Sequence, residues 1–372
     1  MHPDVVHALS RVIDPELRLP ITELGMVGAA ELVGTEASAT IKLTVAGCPA
    51  AQRIEADCEA ALRSVSGVES VSLTMSVMTP DERTALKEKL RGGRGPKVNP
   101  FTAESFTRVF LIGSGKGGVG KSTITANLAA SLAARGLRVG LIDADIFGFS
   151  IPEQLGLKLG SPEATPTRID EMILPPVAHG VKVMSIGMFL QQNQPVAWRG
   201  PMLHRAIEQF VTDVFWGELD FLLVDLPPGT GDVAISVGQL LQTAKTIVVT
   251  TPQAAAAQVA ERSGAVGLQT GQPIFGVIEN LSWLEQNGSK LELFGSGGGD
   301  QVAARLSELS GTAVPVLGQI PISVPLREGS DQGEPVVLSH PTDPAALAIA
   351  KITERIAADQ IGLAGKRLKL NP

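Results

Sequence analysis

The chain has no tyrosine, and aromatic residues make up only 4% of its 372 residues. That leaves little material for aromatic platforms that stack on bases or sugars. Basic residues number 31 against 38 acidic ones, so the net charge of −7 argues against broad contact with a phosphate backbone. No apolar run approaches the roughly 18 to 20 residues that a membrane span needs, and the start, MHPDVVHALS, lacks the blocks of a signal peptide. We therefore expect a cytoplasmic protein with no nucleic-acid or membrane partner.

Cysteine is scarce, because the chain has only Cys48 and Cys58. If the stretch between them is helical, they lie about 15 Å apart along the helix axis, well beyond the ~7 Å limit for a disulfide. A tetrahedral metal site or a four-iron cluster needs about four ligands, and the five histidines are scattered along the sequence. One chain alone does not easily build such a site, so any cluster would have to be shared between chains.

Composition and pattern divide the chain into four segments. Residues 1–79 alternate helix-like and strand-like runs, which predicts a small α/β domain. Residues 80–104 have the glycine-rich, charged composition of a linker. The six basic residues between Asp81 and Lys97 leave a second interpretation open, a docking arm for an acidic partner. Residues 105–363 form a larger domain, and residues 364–372 form a basic tail.

Short apolar runs alternate with helical patterns throughout the larger domain. The runs cover 108–112, 137–142, 181–186, 221–224, 246–250, 274–278 and 314–318. Strands this apolar are typical of a parallel sheet whose two faces are covered by helices. The predicted fold class is therefore α/β, with a doubly wound, mostly parallel sheet following the small N-terminal domain.

The strongest motif lies between the first of these strands and the helix after it. The sequence GKGGVGKS fits GxxxxGK[ST] in the strand-to-helix context that a P-loop requires. Its glycines let backbone N–H groups curl round a phosphate, and the helix N-terminus adds partial positive charge. Lys121 should reach the β- and γ-phosphates, and the Ser122 hydroxyl should ligate Mg²⁺. The predicted ATP-binding residues of this loop are Gly115, Lys116, Gly117, Gly118, Val119, Gly120, Lys121, Ser122 and Thr123.

Acidic residues end two of the predicted strands. Asp143 and Asp145 follow the run 137–142, at the carboxyl end of a parallel strand, where ligands bind in such sheets. An aspartate there can orient the attacking water or help to hold magnesium, and Asp145 is the catalytic candidate. Asp225 ends the run 221–224 and should contact Mg²⁺ through a water, as a Walker B residue does. Gly229, in the PPG turn that follows, is free to approach the γ-phosphate.

Several longer patterns resemble one family. The second lysine in KGGVGKS, Lys116, is similar to that of the deviant Walker A loop of SIMIBI-class NTPases. The segments DADIFG with SIP, WRGPM (198–202), VDLPPGTGD, ENLS (279–282) and FGSGGG resemble motifs of Mrp-type iron–sulfur cluster carrier ATPases. The DPE, LGMV and Thr44/Cys48-Pro49 segments resemble the small domain of metal–sulfur cluster assembly proteins.

This resemblance implies an ATP-hydrolysing homodimer that binds iron–sulfur clusters and hands them to apoproteins. The implied cofactors are ATP and Mg²⁺, with a bridging iron–sulfur cluster, and the implied partners are apoproteins or cluster scaffold proteins. It assigns to Lys116 a role across the dimer, beside Lys121, Asp145 and Asp225 in the catalytic set. It also assigns contact with the adenine edge to Asn280.

One departure from the family pattern leaves alternatives open. Many members carry CxxC between ENMS and FGxGGG, whereas residues 283–292 contain no cysteine here. Cys48 remains as the candidate cluster ligand, since a helix N-terminus at Pro49 would lower the pKa of its thiol. Simple packing in the fold explains the presence of this cysteine equally well. Cys58 is expected to pack. Two alternative functions follow, an ATP-dependent dimeric switch or scaffold without its own cluster, and a positioning ATPase of the MinD or ParA kind.

Overall fold

The computed structural model describes residues 1–92, 98–146, 148–189, 200–286 and 288–359. The helices are α1 (Pro3–Leu9), α2 (Ala51–Arg63), α3 (Pro80–Arg91), α4 (Lys121–Ala134), α5 (Ile151–Gln154), α6 (Gly200–Thr212), α7 (Asp232–Leu240), α8 (Ala254–Gln269), α9 (Gly298–Ser310), α10 (Val324–Gln332), α11 (Val336–Ser339) and α12 (Pro344–Ala357). The strands are β1 (Val27–Val33), β2 (Glu36–Leu43), β3 (Ser70–Val77), β4 (Arg108–Ser114), β5 (Val139–Asp143), β6 (Thr167–Ile169), β7 (Met172–Leu174), β8 (Val177–Ala178), β9 (Val181–Ser185), β10 (Phe221–Asp225), β11 (Lys245–Thr250), β12 (Ile274–Gln286), β13 (Ser289–Leu291) and β14 (Val316–Ile322).

The chain forms two compact units, and the first is not continuous in sequence. It contains Met1–Val98, Ser161–Val177 and Asp213–Gly217, and the remaining residues form the second unit. This division differs from the predicted segments, because two pieces of the predicted larger domain belong to the first unit. The reason is apolar burial: the β6–β7 hairpin places Ile169 and Leu174 in the same hydrophobic core as the N-terminal residues.

The first unit is built on the sheet β1-β2-β3. Strands β1 and β2 are antiparallel, and β2 and β3 run parallel on either side of α2 in sequence. Strand β2 alternates buried and partly buried positions, so its apolar side chains lie on one face. That face and α2 enclose a core that includes Ile41, Ile54 and Leu62, none of which is exposed.

A helix occupies the start of the predicted linker. Residues Pro80–Arg91 form α3, and the helix belongs to the first unit. Thr79 and Glu82 make a capping box: the Thr79 hydroxyl accepts from the Glu82 N–H at 3.3 Å, and the Glu82 carboxylate accepts from the Thr79 N–H at 2.8 Å. Pro80 at the first helical position and Gly92 in the left-handed conformation at the end complete the helix signals. Because the stretch is rich in charged residues, these helix signals were not recognised in the sequence.

The second unit is an α/β layer structure around one sheet. Its strand order includes β13-β12-β11-β4-β10-β5-β9, with β14 also pairing with β12. The pairs from β12 through β9 are parallel, and the short β13 is antiparallel to its neighbour β12. Each of the seven predicted apolar runs overlaps a strand, so the predicted fold class is confirmed. Strands β5, β9 and β10 are buried at every position, as the parallel arrangement requires.

Strand β12 is much longer than the predicted run 274–278. It continues to Gln286 and turns back to pair with β13. Its pairing with β14 shifts register between Asn280 and Leu284, and Leu281 within that interval has a φ of 57°. A non-glycine residue in the left-handed region marks a bulge here. Among the described residues, no helix is long and apolar enough to cross a membrane.

We expect the Thr79→Ala variant to lower the free energy of unfolding of the first unit by about 1 kcal/mol, because it removes the α3 cap. Urea denaturation followed by Trp216 fluorescence measures this, in a background with the other two tryptophans replaced by Phe. Thr84→Ala is the control, since the Thr84 hydroxyl only bonds back to the Pro80 carbonyl. Equal effects of the two variants would contradict the assigned cap.

Candidate nucleotide and thiol sites

The loop with the GxxxxGK[ST] motif connects the buried strand β4, which ends at Ser114, to α4, which begins at Lys121. Gly120 precedes the helix with a φ of 82°, a conformation that glycine adopts without a steric penalty. Gly115 allows a close approach to α8, because a Cβ there would lie 2.3 Å from the Ala260 amide nitrogen. The loop is therefore held against α8 at one end and feeds directly into α4 at the other.

The carboxylate of Asp225 is the centre of the site. It lies at the end of β10, fully buried, and accepts from Lys121 Nζ at 2.5 Å and from Ser122 Oγ at 2.6 Å. Its second oxygen accepts from Thr125 Oγ1 at 2.8 Å. A buried charge is tolerated only when it is paired and hydrogen-bonded. The predicted Walker A and Walker B residues are thus in direct contact.

Asp143 ends β5 and lies opposite Asp225 in the register of the two strands. It is fully buried. Its carboxylate accepts from the backbone N–H of Asp145 at 3.1 Å, of Ser150 at 3.2 Å and of Ile151 at 3.3 Å, and from Ser185 Oγ at 3.2 Å. Asp143 therefore positions the turn that carries Asp145, a role that the sequence analysis did not give it.

The two aspartates of this turn differ in environment. Burial, and then the nearby Asp225 carboxylate, raise the pKa of Asp143 above its ordinary value, while Lys121 opposes the shift. Asp145 is partly buried, and its carboxylate accepts from the Gly148 N–H at 3.1 Å. Of the pair, Asp145 is the one with a surface that a ligand can reach.

Lys116 lies on the exposed part of the loop, together with Gly117 and Gly118. The Ser114 hydroxyl donates to the Lys116 carbonyl at 3.0 Å, so its backbone is fixed while its side chain extends into solvent. Gly229, with a φ of 91°, donates its N–H to the Ser114 carbonyl at 2.8 Å. The PPG turn is therefore hydrogen-bonded to the last residue of β4, directly before the loop.

The Asn280 side chain is hydrogen-bonded to the loop. Its Nδ2 donates to the Val119 carbonyl at 2.9 Å, and a Cβ on Gly120 would lie 2.3 Å from that nitrogen. The side-chain oxygen Oδ1 is buried and has no hydrogen-bond partner among the described residues. One of the two N–H groups of the Asn280 amide is thus engaged with the loop backbone.

Two residues of the site were missed by the sequence analysis. Thr125 lies four residues after Lys121 on α4, a spacing that places both on one helix face and that could have indicated its contact with Asp225. Glu279 is buried; its carboxylate accepts from the Gly299 N–H at 2.6 Å and from Gln319 Nε2 at 2.9 Å. It ties the N-terminus of α9 to β12 and β14, contacts that no local pattern indicates.

Cys48 is not the activated thiol that the sequence suggested. Helix α2 begins at Ala51, and Cys48, 6% exposed, lies in the apolar core before it. Burial, followed by the Glu16 carboxyl and with a smaller effect of Asp14, raises the thiol pKa to about 11, against the opposing backbone N–H of Ala50. The expectation of a lowered pKa is therefore wrong, because desolvation and negative charge outweigh the helix field.

Cys58 lies within α2 and is fully buried, which confirms its packing role. Burial, and then Asp57, raise its pKa to about 12. Both cysteines are free thiols. Over the described ranges, no group of three or more histidine, cysteine, aspartate or glutamate side chains is arranged to hold a metal ion.

Within the interval 283–292, Leu284, Glu285 and Gln286 of β12 pair with Leu291, Lys290 and Ser289 of β13. Lys290 places its Nζ 3.7 Å from the centroid of the Trp283 ring, which fixes the two strands together. Trp198, Arg199 and Phe147 of the predicted motifs lie outside the described residues, as do Asn287 and the tail 364–372.

Glu16 is buried next to Cys48, and the pKa of its carboxyl is higher than that of an ordinary glutamate. Its carboxyl accepts from Thr167 Oγ1 at 2.8 Å, and both residues belong to the first unit. Burial raises its pKa to about 7, with a further rise from Asp14, although the Thr167 hydrogen bond lowers it. The folded state therefore holds a proton on Glu16 at pH values where the unfolded chain does not.

Stability should consequently fall as the pH rises from about 4.5 to 7, and the Glu16→Gln variant should remove this component. The shift corresponds to up to about 3 kcal/mol of pH-dependent free energy of unfolding. Urea denaturation at pH 5 and pH 8 measures the difference, with Glu23→Gln, at an exposed position, as the control. An identical pH dependence in wild type and Glu16→Gln would rule out the buried proton.

Two family models match this chain. The model described as NUBPL iron-transfer P-loop NTPase matches residues 105–357, and the model described as iron–sulfur cluster assembly protein matches residues 3–73. The first match contains every loop residue and both strand-end aspartates discussed above.

Similar proteins cover nearly the whole chain. The iron–sulfur cluster carrier protein of Mycobacterium leprae is 50% identical over 98% of this chain and 95% of its own length. The protein of the same description from Deinococcus radiodurans is 40% identical over 96% of this chain and 95% of its own length. Among solved structures, a nucleotide-binding protein from Archaeoglobus fulgidus in complex with ADP is 35% identical, with a TM-score of 0.51, over 63% of this chain and 92% of that one.

Proposed function

Since the chain belongs to the family of NUBPL iron-transfer P-loop NTPases, we propose that it hydrolyses ATP and carries iron–sulfur clusters to apoproteins as a nucleotide-dependent homodimer. The observation that carries the nucleotide part is the contact of Lys121 and Ser122 with the buried Asp225 carboxylate. Whole-length similarity to proteins described as iron–sulfur cluster carriers supports the cargo. The same similarity favours cluster transport over a clusterless switch or a positioning ATPase. The proposal places the carrier in the cytoplasm.

The donor set around Asp225 suits Mg²⁺. The Ser122 hydroxyl and the Asp225 carboxylate are hard oxygen donors 2.6 Å apart, and Mg²⁺ prefers such oxygens together with substrate phosphates. When bound, the ion would neutralise charge that develops on the transferred phosphoryl group. Lys121 pairs with Asp225, which places its ammonium group beside the loop; when a nucleotide binds, the ammonium group is proposed to exchange this carboxylate partner for phosphate oxygens.

Lys116 is assigned to hydrolysis in the partner's site. It is exposed, and the Ser114 hydroxyl donates a hydrogen bond to its backbone carbonyl. A cation supplied across a dimer interface can stabilise the transition-state charge, as an arginine finger does. Asp145, with its accessible carboxylate, is proposed to orient the attacking water, and Asp143 positions it. Asn280 is proposed to lie at the adenine edge, close to the loop that it already contacts through Nδ2.

We expect Lys121→Ala to abolish ATP hydrolysis and most nucleotide affinity, whereas Lys116→Ala should retain nucleotide affinity and lose about 10³-fold in hydrolysis rate. Titration with a fluorescent ATP analogue and a phosphate-release assay measure the two quantities. Lys158→Ala, at an exposed position, is the control. Thermal melting checks that Lys121→Ala folds, since it leaves Asp225 without its ion pair. Equal loss of affinity in both loop variants would contradict a role across the dimer.

Cys48 is proposed as the chain's own cluster ligand, with other ligands from a second chain or a partner. It retains some exposure, whereas Cys58 is fully buried. Because its thiol must lose a proton to ligate iron and its pKa is raised to about 11, cluster occupancy should increase with pH.

Anaerobic reconstitution with iron and sulfide tests the cargo directly. We expect charge-transfer absorption in the wild type and in Cys58→Ala, stronger at pH 9 than at pH 7, and its loss in Cys48→Ser. No absorption in the wild type at either pH would overturn the carrier function. Full absorption in Cys48→Ser would keep the carrier but remove Cys48 from the ligands.

A further inference from the structure

A groove of 460 Å³ in the second unit is separate from the nucleotide loop. The β12–β13 hairpin forms one wall, β14 forms the floor, and one face of α12 forms the other wall. Leu347, Lys351 and Arg355 line it at intervals of four residues, which places them in one row along α12. The groove therefore presents a continuous strip of side chains rather than isolated surface residues.

The groove has a charge opposite to that of the protein. Lys290, Lys351 and Arg355 line it, against the single carboxylate of Glu285, although the chain as a whole carries a net charge of −7. Two of the cations are positioned by their neighbours. Arg355 donates to the Val316 carbonyl at 3.0 Å and the Leu317 carbonyl at 2.8 Å, and Lys290 lies over the Trp283 ring.

Apolar surface lies between these charges. Leu347 is 49% exposed, a large value for a leucine on a packed helix, and Trp283, Leu317 and Pro321 add apolar lining beside it. Positive charge around an apolar strip complements a ligand that carries both carboxylates and an apolar side chain.

The backbone of β14 is poorly suited to pairing with an added strand. Arg355 already occupies the Val316 and Leu317 carbonyls, and Pro321 has no N–H to donate. Recognition in this groove would therefore rest on side chains rather than on a ladder of backbone hydrogen bonds.

We propose that this groove binds an acidic peptide segment of a partner protein, with carboxylates against Lys290, Lys351 and Arg355 and an apolar side chain against Trp283 and Leu347. The proposal is independent of the proposed cluster transport. It requires only the second unit's surface, and cluster reconstitution does not measure it.

The test uses the full-length protein and a fluorescein-labelled pool of eight-residue peptides. Asp or Glu alternates with Leu, Phe or Trp in the pool, and a basic pool with Lys or Arg at the acidic positions is the comparison. Fluorescence anisotropy should show saturable binding of the acidic pool and at least tenfold weaker binding of the basic pool. Charge reversal by Lys351→Glu should weaken binding of the acidic pool by about tenfold or more, as should Lys290→Glu.

Lys158→Glu is the matched control, because it makes the same change of charge at an exposed site that does not line the groove. It should leave binding of the acidic pool within about twofold of the wild-type value. Nucleotide titration of each variant verifies that the second unit is folded.

Three results would overturn the proposal. The first is equal affinity for both pools, and the second is equal weakening by Lys158→Glu and Lys351→Glu, which would show a general charge effect. The third is evidence that something other than an acidic peptide occupies the groove. Binding to vesicles of anionic lipid that depends on Lys351, without peptide binding, would identify a membrane surface. A change of molar mass in light scattering caused by Lys351→Glu, without peptide binding, would identify a second copy of the chain.

Discussion

The arrangement of the second unit depends on one buried carboxylate. Asp225 accepts hydrogen bonds from Lys121, Ser122 and Thr125, and so joins the end of β10 to the first turns of α4. Removing the Lys121 partner would leave an uncompensated charge in the interior, which typically costs about 3–5 kcal/mol. The same contact fixes the Lys121 ammonium group beside the loop. The compensation of the buried charge and the placement of this lysine therefore depend on one set of atoms.

How much the sequence could reveal depended on the range of each interaction. The P-loop, the strand-end Asp225 and the seven apolar runs are local patterns, so they could be found by spacing and periodicity alone. The division of the chain into two compact units could not, because Ile169 shares its core with the residues from Val5 to Leu86, at least 83 positions earlier in the chain. The supports of the site, Glu279 and Asn280, are hydrogen-bonded to Gly299 and Val119, at distances in sequence that no motif covers.

The helix field alone does not set the pKa of the Cys48 thiol. A cysteine before a helix is expected to be acidic because of the helix field, but that field acts on a group that retains some water. Cys48 lies in a core with Glu16 nearby, and both the loss of water and the negative charge oppose ionisation. The sequence contained Glu16 within its DPE segment, yet the fold alone places it beside Cys48. Chemistry at this thiol is consequently coupled to the proton that Glu16 holds.

The bulge at Leu281 separates two tasks carried by a single strand. Before it, Asn280 is hydrogen-bonded to the loop and Glu279 to the start of α9; beyond it, the β12–β13 hairpin carries Trp283 and Lys290. A bulge disrupts the ladder locally and bends the strand. The hairpin side chains Trp283 and Lys290 take no part in the hydrogen bonds of Glu279 and Asn280. Exchanging these two side chains would therefore change the lining of the groove while leaving the supports of the loop and of α9 in place.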